Sequence, residues 1–297
     1  LFEVLLEVLE RGSENYGKLP IGDGRKVNIE FVSANPKGPL HAGHARGACY
    51  GDAIANLLSF VGFDVYREFY MNDRGTQMQI FGESLLARQR GDEVPEGGYG
   101  GEYILDWAAV MPEGLDLHEV TEWGCAYAQK DQKETLAKLG IHFDTWFSEK
   151  SMIDNGGIEQ ALNDLAENGS AYEKDGATWL ASTSFGDDVD RALQKNDGSW
   201  TYFANDVAYH MDKVNRNYKY LINVLGADHT GYTKRITAAV SALSENKVKL
   251  NCKVCQLVKL YKNGKPFKMS KRAGDFISAQ DLLKEVEKDQ IRFMMLN

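Results

Sequence analysis

The feature that most constrains the fold is the order of patterns over residues 26–90. Residues 26–33 (KVNIEFVS) alternate, with Val27, Ile29 and Phe31 on one side of a strand. The Pro- and Gly-rich turn NPKGPLHAGH follows, then a helical run from Ala42 to Val61 that stops at Gly62. A second strand-like run covers 63–70 and a second helical run 76–90. Strand, helix, strand, helix is the rhythm of a parallel α/β sheet. An amphipathic helix over 1–10 and a Gly-punctuated linker make up residues 1–25.

From 91 to 195 the rhythm changes. GDEVPEGGYGG reads as a loop, and its GGYGG is no phosphate loop because no G-K-[ST] follows. Residues 102–139 are mostly helical, Thr145–Phe147 begins a short strand, and a helix over 156–168 precedes strands near 171–173 and 177–181. This stretch is read as an inserted α+β subdomain. Trp107, Trp123 and Trp146 are its packing residues, and His118 and His142 have no partner at ligand spacing. The α/β rhythm returns over 196–297. There the reading is TYFANDVAYHMDKV, a strand over 220–228, a helix over 230–244, a basic hairpin over 247–268 turned at Asn263–Gly264, and a helix from Ala279. The fold class expected is α/β: a doubly wound parallel sheet with an inserted α+β subdomain.

Composition supports a globular chain of two-domain size. Its 297 residues are 43% hydrophobic and 11% aromatic, enough for a large core and against disorder. No segment reaches the ~18–20 apolar residues of a membrane span, and no basic-then-apolar leader is visible. The first residue is Leu1, so an upstream start and upstream targeting stay open. Four cysteines do not make a disulfide framework, and a reducing, cytoplasmic setting is expected. Cys252 and Cys255 form a lone C-x-x-C without a second pair at zinc spacing, so ordinary strand cysteines are favoured over a structural metal.

The net charge of −9 argues against a uniformly basic nucleic-acid binder. Yet Asn246–Gly274 carries nine lysines and arginines and no acid. That run is either a solvated face or a site for a polyanion such as a nucleoside triphosphate or RNA.

Two motifs carry chemistry. The first is Pro39-Leu40-His41-Ala42-Gly43-His44, between a strand and a helix. Two histidines at a helix start set imidazole donors beside backbone N–H groups and the positive end of the helix dipole, which suits a phosphate. Gly43 lets a base or ribose approach the backbone. The alternative is two surface histidines in a loop. The second motif is Lys268-Met269-Ser270-Lys271-Arg272, whose lysines suit a departing pyrophosphate. Alone it reads as a solvated basic loop.

Together, in this order and context, the pair resembles the two signature motifs of class I aminoacyl-tRNA synthetases, with their Rossmann-like catalytic sheet. The run EFVSANPKGPLHAGHARGACYGDAIANLLSFVGFDVYREFYMNDRGTQM resembles the arginyl-tRNA synthetase family. So do DGSWTYFANDVAYHMDK, NVLGADHTGY and QLVKLYKNGKPFKMSKRAGDFIS. The resemblance covers nearly the whole chain and is weakest at 82–145. Arg272 stands where Ser is usual, a variant similar to that of many bacterial arginine enzymes.

The resemblance implies an arginine–tRNA ligase core using ATP, with Mg2+, arginine and the acceptor end of tRNA(Arg) as partners. It implies no membrane and no protein-bound structural metal, and a monomer is expected. Arginine carboxylate attacks the α-phosphate and pyrophosphate leaves; the terminal 2′-hydroxyl of tRNA then takes the arginyl group. His41, His44, Lys268 and Lys271 would stabilise the transition state. Pro39, Gly43, Gly226, Asp228, His229, Met269 and Ser270 would bind ATP. Glu30, Ser33, Asn35, Tyr202 and Asp206 would bind arginine, the acids suiting a planar guanidinium. The plain alternatives are an outward strand position for Glu30, a helix N-cap for Asp206, and a cap of helix 230–244 for Asp228. The resemblance also implies flanking tRNA-contacting domains, for which 297 residues leave no room; a catalytic-core fragment and a short paralogue both fit. The rival functions are a pseudo-synthetase binding ATP and arginine without tRNA charging, and a pantothenate-synthetase-like nucleotidyltransferase.

Overall fold

In a computed structural model of the protein, all residues are described except 13, 259, 263–264 and 268–275; for 260–262 and 265–267 only the backbone is described. The elements in chain order begin with α1 (Phe2–Arg11), β1 (Lys26–Glu30), α2 (Ala42–Phe60), β2 (Asp64–Met71) and α3 (Thr76–Arg90). Next come α4 (Glu102–Val110), α5 (Leu117–Lys138), β3 (Thr145–Ser148), α6 (Glu149–Asp154) and α7 (Gly157–Glu167). They are followed by β4 (Ala171–Lys174), β5 (Ala177–Leu180), β6 (Arg191–Gln194), α8 (Tyr202–Asn215) and β7 (Tyr220–Gly226). The chain continues with α9 (Thr233–Leu243), β8 (Lys249–Cys255), β9 (Leu260–Lys262), β10 (Lys265–Phe267), α10 (Ala279–Glu285) and α11 (Lys288–Leu296).

Five strands make one sheet in the order β3-β2-β1-β7-β8, and every neighbouring pair is parallel. The chain winds outward from β1 in one direction through β2 and β3, and in the other through β7 and β8. The order reverses between β1 and β7, where a doubly wound sheet opens a crevice at its strand ends. Both faces are covered, so β1 is buried along nearly its whole length rather than alternating. One face packs Leu221 and Leu250 against Val207, Ile236 and Val240 of α8 and α9. The other packs Ile29, Phe31 and Phe69 against Ala45 and Ala48 of α2. Gly51 is what lets α2 lie this close: a Cβ there would meet Phe31 at 2.3 Å. A third cluster, around Phe81, Ile104 and Trp107, joins α3, α4 and α5.

Three sequence expectations change. Within 91–195, β3 is an edge strand of the central sheet, and Trp146 stacks on Phe69 at 4.2 Å in the main core. The separate antiparallel sheet of that stretch is β4-β5-β6 alone. The basic hairpin of 247–268 is split: β8 pairs parallel with β7, and only β9 and β10 form a hairpin, whose Asn263–Gly264 turn lies outside the described residues. A 3-10 turn (Ala227–Tyr232) precedes α9, which starts at Thr233 rather than at 230. Asp228 therefore opens that turn and does not cap the helix. Cys252 and Cys255 pack into clusters on opposite faces of the sheet, so they share neither a metal nor a disulfide.

Candidate active site

The crevice at the switch point is a cavity of about 460 Å3. It is built from the turn after β1 (Val32, Ser33, Asn35), the His41–His44 turn, and the ends of β7 and β8. The turn after β1 is tight. Ser33 N–H bonds Phe31 O at 3.0 Å, and Val32 and Ser33 both have positive φ, 69° and 44°. A β-branched residue in that region costs on the order of 1–3 kcal/mol. The strain is held by Ser33, whose Oγ donates to Glu30 Oε1 at 2.9 Å and accepts the Tyr70 N–H at 3.2 Å.

His41 is the N-cap of α2, and it and His44 cap each other. His41 Nδ1 accepts the His44 N–H at 3.3 Å, and His44 Nδ1 accepts the His41 N–H at 3.2 Å. With Nδ1 of each ring an acceptor, Nε2 is the ring nitrogen placed to donate. The rings stack with centroids 3.7 Å apart. Gly43 makes room for this stack: a Cβ would lie 2.9 Å from His41 Cε1. The backbone around His41 is tied to the segment just after the second motif. Ala42 N–H bonds Ile277 O at 3.0 Å, and Ala279 N–H bonds Leu40 O at 2.7 Å. Lys268, Met269, Ser270 and Lys271 themselves lie outside the described residues.

Gly226, Asp228 and His229 line the same cavity, but Pro39 does not. A Cβ on Gly226 would meet Asp228 Oδ1 at 2.4 Å. Among the described residues, no group of three or more His, Cys, Asp or Glu side chains is placed to hold a metal ion.

Asn35 lines this cavity and also a second one of about 750 Å3, walled by Arg74, Gln77, Glu149, Trp200, Tyr202 and Asn205. Tyr202 begins α8 and is 91% exposed; it borders this cleft rather than packing into an acid pocket. Asp206 lies one turn further on. Thr201, not Asp206, caps α8, which removes the capping alternative. Tyr232 donates its hydroxyl to Asp206 Oδ2. Burial, with Glu30 and Glu149 nearby, pushes the Asp206 carboxyl up to about 6 against the pull of Tyr232.

Glu149, absent from the sequence assignment, is the residue the structure adds. It is buried at the start of α6, and Oε1 accepts from Asn205 Nδ2 at 2.7 Å. Oε2 meets no donor with good hydrogen-bond geometry. Burial raises its carboxyl above the usual range, though Asn205 and Tyr70 pull it back. The same acids, after burial, push the Tyr70 hydroxyl upward, so Glu30, Glu149 and Asp206 share one electrostatic neighbourhood.

Glu30 is buried, not outward, and is already paired: Lys213 Nζ lies 2.6 Å from its Oε2. Lys213 also donates to Asn223 Oδ1 at 3.3 Å. Asn223 Nδ2 is 2.9 Å from His210 Nε2, and His210 Nδ1 is 2.8 Å from the Asp206 carbonyl. Burial and Lys213 hold His210 down at about 4, so it is neutral; Nδ1–H donates to the carbonyl and Nε2 accepts from Asn223. One hydrogen-bonded chain thus runs from Ser33 in the first cavity to the Asp206 peptide beside the second.

A doubly wound parallel sheet with paired histidines at its switch point is the architecture of a class I synthetase catalytic domain. The family model described as "tRNA synthetases class I (R), catalytic domain" matches residues 7–95 and 115–297, and the chain belongs to that family. It is 46% identical to an arginine–tRNA ligase of Roseobacter denitrificans, over 99% of this chain and 56% of the relative. It is also 46% identical to one of Bacillus velezensis, over 99% of this chain and 55% of the relative. The chain therefore spans little more than half the length of these relatives. A Campylobacter jejuni structure of the arginyl-tRNA synthetase type superposes with TM-score 0.85 at 35% identity, covering 99% of this chain and 68% of that one. The Thermus thermophilus arginyl-tRNA synthetase gives TM-score 0.71 at 19% identity, over 99% and 60%, a likeness of fold. No helix among the described residues is long and apolar enough to cross a membrane.

Proposed function

We propose that this chain is the catalytic core of an arginine–tRNA ligase, activating arginine with ATP and passing it to the 2′-hydroxyl of the terminal adenosine of tRNA(Arg). The observation that carries the arginine reading is the acid cluster. Asp206 and Glu149 are both held above the usual carboxylate range by burial, each in the field of other acids. Both carboxyls stay raised even though Arg74 and Lys195 also line the cleft, and a cationic ligand on the two acids would relieve that. A guanidinium is planar and can serve two carboxylates at once.

In this reading ATP occupies the cavity of His41, Gly43, His44, Gly226, Asp228 and His229, with magnesium arriving as part of MgATP. Arginine lies toward the second cavity, its guanidinium on Glu149 and Asp206, with Ser33 and Asn35 at its α-amino end and Tyr202 over the opening. Glu30 acts behind this layer, through Lys213 and Ser33. The arginine carboxylate attacks the α-phosphorus, the α–β bond breaks, and pyrophosphate leaves with the bonding electrons. His41 and His44 donate to phosphate oxygens through Nε2–H, while Lys268 and Lys271 take the charge of the departing pyrophosphate. The tRNA 2′-hydroxyl then attacks the arginyl carbonyl and AMP leaves. A cytoplasmic setting and a monomer belong to the same reading.

ATP–pyrophosphate exchange tests it, run with arginine or lysine, with and without tRNA(Arg). Exchange requiring arginine is expected. Exchange with lysine at the same rate would overturn the specificity.

A further inference from the structure

Asp73 lies two residues beyond the end of β2 and grips the segment carrying Glu149 on both sides. Its Oδ2 accepts from Ser148 Oγ at 2.6 Å, and its Oδ1 accepts from the Lys150 amide at 2.9 Å. Ser148 is the last residue of β3, opposite Met71 of β2. Its Oγ also accepts the Ser151 N–H at 3.0 Å, capping α6. The hydroxyl has one proton, and it is committed to Asp73. Glu149 is thus the only residue of the 148–150 tripeptide that Asp73 does not bond directly.

Such a clamp has work to do. α6 has six residues, too few for its own hydrogen bonds to fix its direction. β3 is a four-residue edge strand. Neither element alone determines where the Glu149 carboxylate points. Asp73 also places a second negative group near Glu149 and raises its carboxyl further, an electrostatic cost that pairing alone does not explain. Asp73 itself lines a neighbouring cavity of about 820 Å3 together with Lys150, whereas Glu149 lines the cleft shared with Asn35 and Tyr202. A ligand in that cleft meets Glu149, whereas Asp73 is not among the residues lining it, although its chain neighbours Asn72 and Arg74 are.

We infer that Asp73 is a positioning residue that aims Glu149 into the cleft and so sets how tightly a guanidinium is held there. This rests on the arginine reading of the cleft, and the test separates the two. Arginine and ATP binding to the full chain are measured by calorimetry for wild type, Asp73→Asn, Glu149→Gln and the double variant, and the structure of Asp73→Asn is determined. Asp73→Asn keeps the size but presents an amide N–H toward one of two donors. It is expected to weaken arginine about tenfold, to leave ATP affinity unchanged, and to add little on the Glu149→Gln background. The Glu149–Asn205 contact should be lost in its structure.

Full additivity with Glu149→Gln overturns the inference, as does a Glu149–Asn205 contact kept at its wild-type distance. The second outcome decides even if wild type binds no arginine, a result that would instead remove the arginine reading. If Asp73→Asn loses ATP as well, Ser148→Ala, which removes one bond of the clamp, takes its place. Equal losses of ATP and arginine in both variants would mark a structural role and overturn the assignment.

Discussion

Lys213 and Glu30 form a buried ion pair, Nζ to Oε2 at 2.6 Å. The pair assigns Glu30 a structural task that its strand position did not suggest: its charge is answered from within the protein. Removing one partner of a buried pair leaves the other charge uncompensated, at a cost of about 3–5 kcal/mol. Lys213→Met should therefore destabilise the chain by that order in urea unfolding. Lys213→Met with Glu30→Gln should recover a large part of the loss. A double variant no more stable than the single would refute the pairing argument.

Glu149→Gln keeps the size and the Asn205 contact but removes the charge. Arginine binding should weaken by about tenfold to a hundredfold, the range of a charge-assisted hydrogen bond worth ~1.5–3 kcal/mol. ATP binding should be unaffected. Calorimetry with each ligand separates these effects, and a parallel loss of both would count against the assignment.

The Asp206 carboxyl, pushed up to about 6 by burial, gives arginine binding a pH signature. In the proposed arrangement the guanidinium pairs with ionised Asp206. Affinity should be level above about pH 7 and fall as pH drops through 6, by up to about tenfold per unit. The sign for stability is separate: an acid whose folded pKa is raised binds its proton more tightly in the folded state. Its contribution is present at low pH and is lost as pH rises through about 6. Arginine titrations at pH 5, 6, 7 and 8 check the first part, and a flat profile would contradict it.

Gly43→Ala offers a test in which stability and function part company. Alanine is the better helix former by about 1 kcal/mol, but its Cβ would press on His41 at 2.9 Å and disturb the imidazole stack. Thermal stability should hold or rise while ATP affinity falls several-fold. A variant with unchanged ATP affinity would show that the stack is dispensable.

The alternation and punctuation of 26–90 made the first half of the sheet legible, because each strand and helix there is a local pattern. β8 was misread for a physical reason. It is an edge strand with Lys249 and Lys253 exposed, the usual way an edge is kept from pairing with another chain, and the basic run looks like a solvated hairpin. Its parallel partner β7 is reached only through α9, which periodicity cannot announce. Glu149 was invisible for a similar reason. It follows a four-residue strand whose partner, β2, lies some 75 residues earlier, and no motif marks it. The histidine turn was legible because a helix N-cap is local. The mutual capping of His41 and His44 was implicit in their i, i+3 spacing, although capping boxes are usually written with Ser, Thr or Glu. Asp206 was assigned to the pocket through the family resemblance, but its bond from Tyr232 needed the fold.

The most direct test of the central claim is calorimetric titration of the chain with arginine and with citrulline, its neutral near-isostere. The account predicts saturable one-to-one binding of arginine and citrulline binding weaker by at least about a hundredfold, since the acid cleft recognises charge as well as shape. Equal binding of the two, or none of arginine, would contradict it.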